Sequence, residues 1–404
     1  MYNILLLLIY RIILIVNPNK YQHWIQQQQE FSKNIHLNKN AEKVIWIHCA
    51  SLGEYEQIKP LLSNLKKIKK NIHLTFFSPT AHTHFQDQKL ISNISCLPLD
   101  TKLNMESFIE NIQPMMAIIS KNDIWPNMIT SLRLKKIPVY MIGTKFKKTK
   151  MHNWFIQQYY RKYLPMCTHI FCQDQETYQF LINEKIGNAS MIGDLRINQV
   201  LLDRKRQFHN KQLNNFCAKN KVIIYGSIEP GDYNIIIDTI NTNKELKHIV
   251  VPHDNSIKTI KKITNQIQES YILYSEINNK KDIQENILIV NQFGILKYLY
   301  RFSDIAYIGG GFNKGVHNTL EPAVCGNLIF FGPKYKHFPE TELFIKNNLA
   351  NSVKNKLDFQ KKLSSLTQNP RSKSMILKQF SSLLTQRKQN IKIIMEKINQ
   401  QYLL

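Results

Sequence analysis

Glycine (13 of 404 residues) and acidic residues (29) are scarce, and the six cysteines never come close together in sequence. Each shortage excludes something. Cys49, Cys96, Cys167, Cys172, Cys217 and Cys325 form no CxxC pair and no His/Cys cluster at metal-ligand spacing, which argues for free thiols in a reducing compartment and against a zinc site. No aromatic RNP motif or finger spacing marks a nucleic-acid reader. No repeat of 20 to 50 residues suggests a solenoid, and Gln26 to Gln29 is too short for low complexity. The apolar stretch Ile4 to Val16, broken by Tyr10 and Arg11, is short of the roughly 20 residues a membrane-spanning helix needs. It lacks the small-residue cleavage site of a secretory signal. Two readings stay open for it: a segment lying in a membrane interface, with Arg11 snorkelling and Trp24 nearby, or a helix docked on the protein.

What is abundant is Lys, Asn and Ile. With 54 Lys and Arg the formal charge is +25, which suggests a polyanionic partner such as an anionic membrane surface or a phosphorylated substrate. The bias runs through the whole chain, so clusters are more informative than the total. Arg133, Lys135, Lys136, Lys145, Lys147, Lys148 and Lys150 form an acid-free stretch, followed by Trp154, Phe155, Tyr159, Tyr160 and Tyr163. Such a pairing seats phosphates at a membrane surface, or is a solvated face beside a packed stripe.

A chain of 404 residues exceeds what one hydrophobic core supports. Short apolar runs alternate with helical stretches throughout. In the first half the strands are expected at Val44 to Cys49, Ile72 to Phe77, Met115 to Ser120, Val139 to Ile142 and His169 to Cys172. In the second they are expected at Val222 to Tyr225, His248 to Val251, Tyr271 to Tyr274, Ile287 to Val290, Ile305 to Ile308 and Leu328 to Phe331. This alternation is the βαβ pattern of parallel sheets. The polar segment Leu201 to Asn220 separates the two series. The expected organisation is a membrane-associated segment over 1–30 and two Rossmann-like, doubly wound α/β domains over 31–205 and 206–404, facing across a cleft lined by strand ends.

Two constellations carry chemistry. His48-Cys49-Ala50-Ser51-Leu52-Gly53-Glu54 lies where a buried strand turns into a helix with Ile58, Leu61, Leu62, Leu65 and Ile68 on one face. Side chains on such turns face the crevice where α/β sheets bind ligands, so Glu54 is a candidate base. Ser51-x-x-Glu54 is equally a capping box, in which Glu54 only satisfies a backbone amide. The second motif runs from Ile308 through Gly309-Gly310-Gly311-Phe312-Asn313-Lys314-Gly315-Val316-His317-Asn318 to Glu321-Pro322. Its glycines expose amides and bring a backbone near a ligand, and the helix it opens offers a partial positive charge to a phosphate. It is neither a Walker loop nor GxGxxG. Asn318 to Glu321 is another Asn-x-x-Glu cap, against a reading in which Glu321 holds ribose hydroxyls. Gly226-Ser227, after the strand Val222 to Tyr225, is a further phosphate-facing turn.

Ala50 to Glu54, Ile124-Trp125-Pro126-Asn127, Gly193-Asp194-Leu195-Arg196, Gly226-Ser227, and Gly309 to Pro322 with Phe331-Gly332-Pro333 occur in this order. Together they resemble the 3-deoxy-D-manno-octulosonic acid (Kdo) transferases of lipid A assembly. The resemblance implies a GT-B glycosyltransferase at the cytoplasmic face of the inner membrane, acting in lipopolysaccharide biosynthesis. It implies a metal- and cofactor-independent inverting transfer of Kdo from CMP-Kdo to a phosphorylated lipid A precursor. On that basis Glu54 becomes the general base, with Asp123 beside it. Ser51, Gly53, Trp125, Lys145 and Lys147 would serve the acceptor. Gly226, Ser227, His253, Gly309, Gly310, Gly311, His317, Asn318 and Glu321 would serve the donor. The chain departs from the pattern at Ser120-Lys121-Asn122-Asp123, where a lysine and a shorter aspartate replace two glutamates. It departs again at Pro252-His253-Asp254, where an arginine is replaced. The competing readings are a GT-B enzyme with another nucleotide sugar, and a polyanion-binding protein without catalysis.

Overall fold

The computed structural model describes residues 44–67, 71–78, 90–218, 220–280, 283–336, 338–368, 371–385 and 391–400, with Tyr2, Asn3, Leu6, Ala81 and Phe85. Apart from Leu6, the segment expected at Ile4 to Val16 lies outside the described residues, as do Trp24 and Ile68. Among the described residues no helix is long and apolar enough to cross a membrane.

The first unit comprises residues 1–199 and 387–404 and the second residues 200–386. In the first, seven strands form one parallel sheet: β1 (Val44–Cys49), β2 (Asn71–Phe76), β3 (Asn93–Cys96), β4 (Pro114–Ser120), β5 (Val139–Thr144), β6 (His169–Cys172) and β7 (Ala189–Met191). Their order is β3-β2-β1-β4-β5-β6-β7, so the winding reverses between β1 and β4. Strand pleating sends alternate side chains of β1 into opposite cores. Ile45, Ile47 and Cys49 pack with Ile58, Leu61, Leu62 and Leu65 of helix Leu52–Lys67. Trp46 packs on the other side with Phe108, Met128 and Ile129. Each fully buried Leu or Ile contributes on the order of 1.5–3 kcal/mol.

Residues 387–404, expected in the second domain, belong to the first. Helix Ile391–Gln400 has Ile394 and Ile398 one turn apart, and both are fully buried in the core of Ile45 and Ile47. The expected division also moves: it falls between Gln199 and Val200, within helix Leu195–Lys205. The polar segment beyond it is partly ordered as helix Lys211–Cys217, which buries Leu213 and Phe216.

The second unit repeats the plan with β8 (Val222–Ile228), β9 (Lys247–Pro252), β10 (Tyr271–Leu273), β11 (Ile287–Ile289), β12 (Ile305–Ile308), β13 (Leu328–Phe331) and β14 (Ala350–Ser352). All are parallel, in the order β10-β11-β9-β8-β12-β13-β14, with the reversal between β8 and β12. In such sheets ligands collect outside the carboxyl ends of the strands that flank the reversal. Each unit therefore has one rim to search.

Candidate active site

In the first unit the connections after β1 and β4 flank the reversal: Glu54 stands in the first turn of the helix after β1, and Asp123 in the loop after β4. Helix Leu52–Lys67 begins with the Glu54 and Tyr55 amides on the Ser51 carbonyl, both at 3.1 Å. Glu54 reaches back, and its Oε2 accepts the Ala50 N–H at 2.6 Å. A cap of the expected kind therefore forms, to Ala50 and not to Ser51, through one carboxylate oxygen. Burial, then the charge of Asp123, pushes the Glu54 carboxyl up. The Ala50 amide, Lys121 and His48 pull against this. Such a carboxyl holds a proton more readily than an exposed one, as a general base must.

Asp123 is held from beneath. Its Oδ2 lies 3.2 Å from Nε2 of His48, which is 1% exposed on the Trp46 side of β1. His48 Nδ1 is 2.9 Å from Thr75 Oγ1, and that oxygen also accepts the Trp46 indole N–H at 2.9 Å. The Thr75 hydroxyl can also donate to the Ile47 carbonyl at 3.4 Å, so one buried hydrogen-bonded chain beneath the rim runs from Trp46 through Thr75 and His48 to Asp123. Lys121, beside it, is in the left-handed region at φ 59° with its amide on the Ile142 carbonyl at 2.8 Å.

The expected acceptor residues share this rim in part. Ser51 is half-buried, while Gly53 is exposed and has room for a Cβ, whose nearest neighbour would be Ser51 Oγ at 3.8 Å. Trp125 packs against Phe77, and its buried indole N–H finds no acceptor among the described residues. Pro126 starts helix Pro126–Leu134, and the remote Asp100 caps it, accepting the Asn127 amide at 3.0 Å and the Met128 amide at 2.8 Å. Burial raises the Asp100 carboxyl to about 6. The Trp-Pro-Asn sequence is thus largely a helix start, and its cap was invisible in sequence. Lys145 follows β5, pairs with Asp174 at 3.4 Å, and is tied to the β4 loop through Asn122. Lys147 is exposed. Of the aromatics that follow, Trp154 (61%) and Phe155 (76%) are exposed, whereas Tyr160 is buried and stacks on Phe146. The stretch thus divides into an exposed basic and aromatic part and a packed aromatic part.

In the second unit β8 continues through Gly226 and Ser227 to Ile228, with a register slip where a turn was expected. Gly226 is no phosphate donor. It is buried in the strand, and a Cβ there would meet the Tyr300 hydroxyl at 2.3 Å. Ser227 occupies the bulge at φ 54°. Two amides of the glycine bend after β12 are engaged within the protein, where a phosphate cradle was expected. Gly309 N–H donates to the Gly226 carbonyl and Gly310 N–H to Asp232 Oδ2, both at 2.9 Å. Gly311 packs so tightly on Gly332 that a Cβ would stand 2.5 Å from its nitrogen. That contact explains why the Phe331-Gly332-Pro333 stretch accompanies the motif. Nor does the motif open a long helix, because Leu320–Val324 has five residues. The N-cap is Thr319, without a side-chain cap bond, so the expected Asn318-to-Glu321 cap does not form as such: Asn318 Oδ1 accepts the Leu320 amide at 3.0 Å and its Nδ2 donates to Glu321 Oε1 at 3.1 Å.

Gly309→Ala should destabilise the second unit by about 1–3 kcal/mol or more, because the new Cβ would meet the Ser227 carbonyl at 2.3 Å and Ile228 Cα at 2.6 Å. Gly53→Ala, with open space, should melt no lower than the parent. Urea midpoints of the two variants check this, and equal midpoints would contradict it.

The bend holds together through Asp232, a fully buried residue that the sequence did not single out. Its carboxylate accepts the Glu229 amide at 2.9 Å, the Gly310 amide at 2.9 Å and the Tyr307 hydroxyl at 2.8 Å. Burial is the first cause that pushes this carboxyl up. The loop ends it joins present Glu229 and His317, whose Oε1 and Nε2 lie 3.1 Å apart. His253, exposed after β9, stacks on His317 with ring centroids 4.7 Å apart at 11°. Burial, then the charge of His253, pushes His317 down, against Glu229.

Comparison with known proteins follows the same division. Residues 22–199 match the family described as 3-deoxy-D-manno-octulosonic-acid transferase (kdotransferase). A bifunctional glycosyltransferase/methyltransferase of Fusobacterium nucleatum is 27% identical over 80% of this chain, and the match spans 53% of that longer protein. The 3-deoxy-D-manno-octulosonic acid transferase of Aquifex aeolicus is 27% identical over 81% of this chain and 87% of its own. Among solved structures, a glycosyltransferase from Rickettsia africae ESF-5 aligns with a TM-score of 0.57 at 12% identity, covering 89% of this chain and 98% of that one. That likeness concerns the fold, the pair of Rossmann-like domains known as GT-B.

Proposed function

We propose, for a chain that belongs to the 3-deoxy-D-manno-octulosonic-acid (Kdo) transferase family of glycosyltransferases, that it moves Kdo from CMP-Kdo to a hydroxyl of a phosphorylated lipid A precursor at the cytoplasmic face of the inner membrane. The observation that carries this reading is Glu54: a partly buried carboxylate at the reversal of the first sheet, with Asp123 raising its proton affinity. A sugar hydroxyl is a poor nucleophile. As its oxygen bonds to the anomeric carbon of Kdo, Glu54 takes the proton, the bond from that carbon to the CMP phosphate oxygen breaks, and CMP departs with the electron pair. Attack opposite the leaving group inverts the centre. A positioned base contributes roughly 10²- to 10⁴-fold to such a step.

Charge developing on the departing phosphate needs donors on the second unit's rim. Since the amides of Gly309 and Gly310 are engaged, the side chains of Ser227, His253 and His317 are the suited groups, with Glu321 on the ribose. Lys145, Lys147 and the exposed Trp154 and Phe155 fit a phosphorylated, lipid-borne acceptor. Incubation with CMP-Kdo and a tetraacylated lipid A precursor tests the whole. A product heavier by one or more Kdo residues, with CMP released and no transfer from UDP- or GDP-sugars, supports it. Transfer from another nucleotide sugar alone would replace it with a different GT-B activity, and steeply salt-dependent duplex DNA binding without transfer would favour a polyanion-binding protein.

A base must be ionised, so the rate should fall as pH drops through the raised Glu54 pKa. Asp123→Asn removes the neighbouring charge while keeping an acceptor for His48. It should move the acid limb of the kcat/KM profile to lower pH. A limb that stays in place would show that Asp123 does not act on Glu54.

A further inference from the structure

Three neighbouring strands of the second sheet, β9, β8 and β12, each deliver one side chain to a common point just beyond their carboxyl ends. These are His253, one residue after β9, Glu229, one residue after β8, and His317 at the end of the glycine bend after β12. One ligand atom from each lies within 4.8 Å of the other two. We propose that Glu229, His253 and His317 form a binding site for a divalent transition-metal ion of the Zn²⁺ type, independent of which sugar nucleotide the enzyme uses.

The donor set selects the class of ion. Two imidazoles and one carboxylate suit Zn²⁺, Co²⁺, Ni²⁺ or Fe²⁺, whereas Mg²⁺ and Ca²⁺ want oxygen alone. The geometry is close to what coordination needs. With bonds of about 2.0–2.1 Å, tetrahedral ligands stand roughly 3.4 Å apart, and Glu229 Oε1 and His317 Nε2 are already at 3.1 Å. His253 is exposed and has room to turn its nitrogen inward. An ion would sit where His317 Nε2 and Glu229 Oε1 now approach each other directly.

The supporting groups are in place as well. Asn313 Nδ2 donates to the second carboxylate oxygen of Glu229 at 2.7 Å, leaving Oε1 directed at His317. Asp232 holds the Glu229 amide and the Gly310 amide on one oxygen, so the loops bearing two of the three ligands are joined beneath the site. The His317 ring rests against Gly310, where a Cβ would approach it to 3.0 Å. Three protein ligands from rigid strand ends leave the remaining positions open, the arrangement of metal sites that keep an exchangeable ligand.

The full chain, stripped with a chelator and titrated with Co²⁺, tests this by visible absorption and by metal stoichiometry. One equivalent with a visible ligand-field band, displaced by Zn²⁺, is expected. His253→Ala changes a surface residue and should remove that equivalent with no loss in melting temperature, as should Glu229→Gln. Asn313→Ala, which only loosens the carboxylate, should retain it with affinity about 10- to 100-fold weaker. The chain has 13 histidines, so the reading is the difference between proteins. If His253→Ala and Glu229→Gln bind as much cobalt as the parent with the same band, or the parent shows no band, the assignment is wrong.

Discussion

Glu54→Gln is expected to lower kcat for Kdo transfer by about 10²- to 10⁴-fold while the protein melts close to the parent temperature. The two expectations separate the roles that one side chain plays. Glutamine keeps a side-chain oxygen able to accept the Ala50 N–H, now 2.6 Å from Glu54 Oε2, so the cap survives. It cannot take a proton at any working pH, so the chemistry does not. Binding of CMP, proposed above for the other unit, should be unchanged in a direct titration. A variant that melts lower yet retains its specific activity would reduce Glu54 to a helix cap and leave the reaction without a base.

Asp232→Ala should cost the second unit about 3–5 kcal/mol, more than Gly309→Ala. Its removal strands the Glu229 and Gly310 amides and the Tyr307 hydroxyl, each at about 1–3 kcal/mol when left unsatisfied, with some relief as the bend relaxes. Asp232→Asn should be far milder. Its amide oxygen can face both backbone N–H groups, while its NH₂ donates to a turned Tyr307 hydroxyl. The pH dependence follows from the raised carboxyl. A group that holds its proton more tightly when folded contributes stability below its unfolded pKa and loses it as pH rises through the folded value. Urea midpoints should therefore fall with rising pH in the parent across that window and flatten in Asp232→Asn. An alanine variant within about 1 kcal/mol of the parent would show that the bend does not depend on this clamp.

What was legible in the sequence were features whose cause is local. Apolar runs marked β1, β4, β8, β12 and β13 because central parallel strands are covered on both faces. The missed strands, β3, β7 and β14, are short and lie at or next to a sheet edge. They read Asn-Ile-Ser-Cys, Ala-Ser-Met and Ala-Asn-Ser, where one-sided packing asks for little apolar surface. The glycine bend was found but its purpose was misjudged. Gly226, Gly309 and Gly311 answer to Tyr300, Ser227 and Gly332, partners far away in sequence. The same holds for His48 and Asp100. Glu229 and His317 are 88 positions apart, beyond any spacing rule for metal ligands, and only strand order brings them together. Glu54 was legible as a motif, though its bond to Ala50 in place of Ser51 was not.

The helix Ile391–Gln400 gives the chain an unusual timetable. Ile394 and Ile398 complete the core built on Ile45 and Ile47, yet residues 200–386 must be synthesised before them. At about 5–20 residues per second that is a wait of roughly ten to forty seconds. Until then the nascent amino-terminal half lacks two side chains of its own core, and a product cut short before residue 391 would lack them for good.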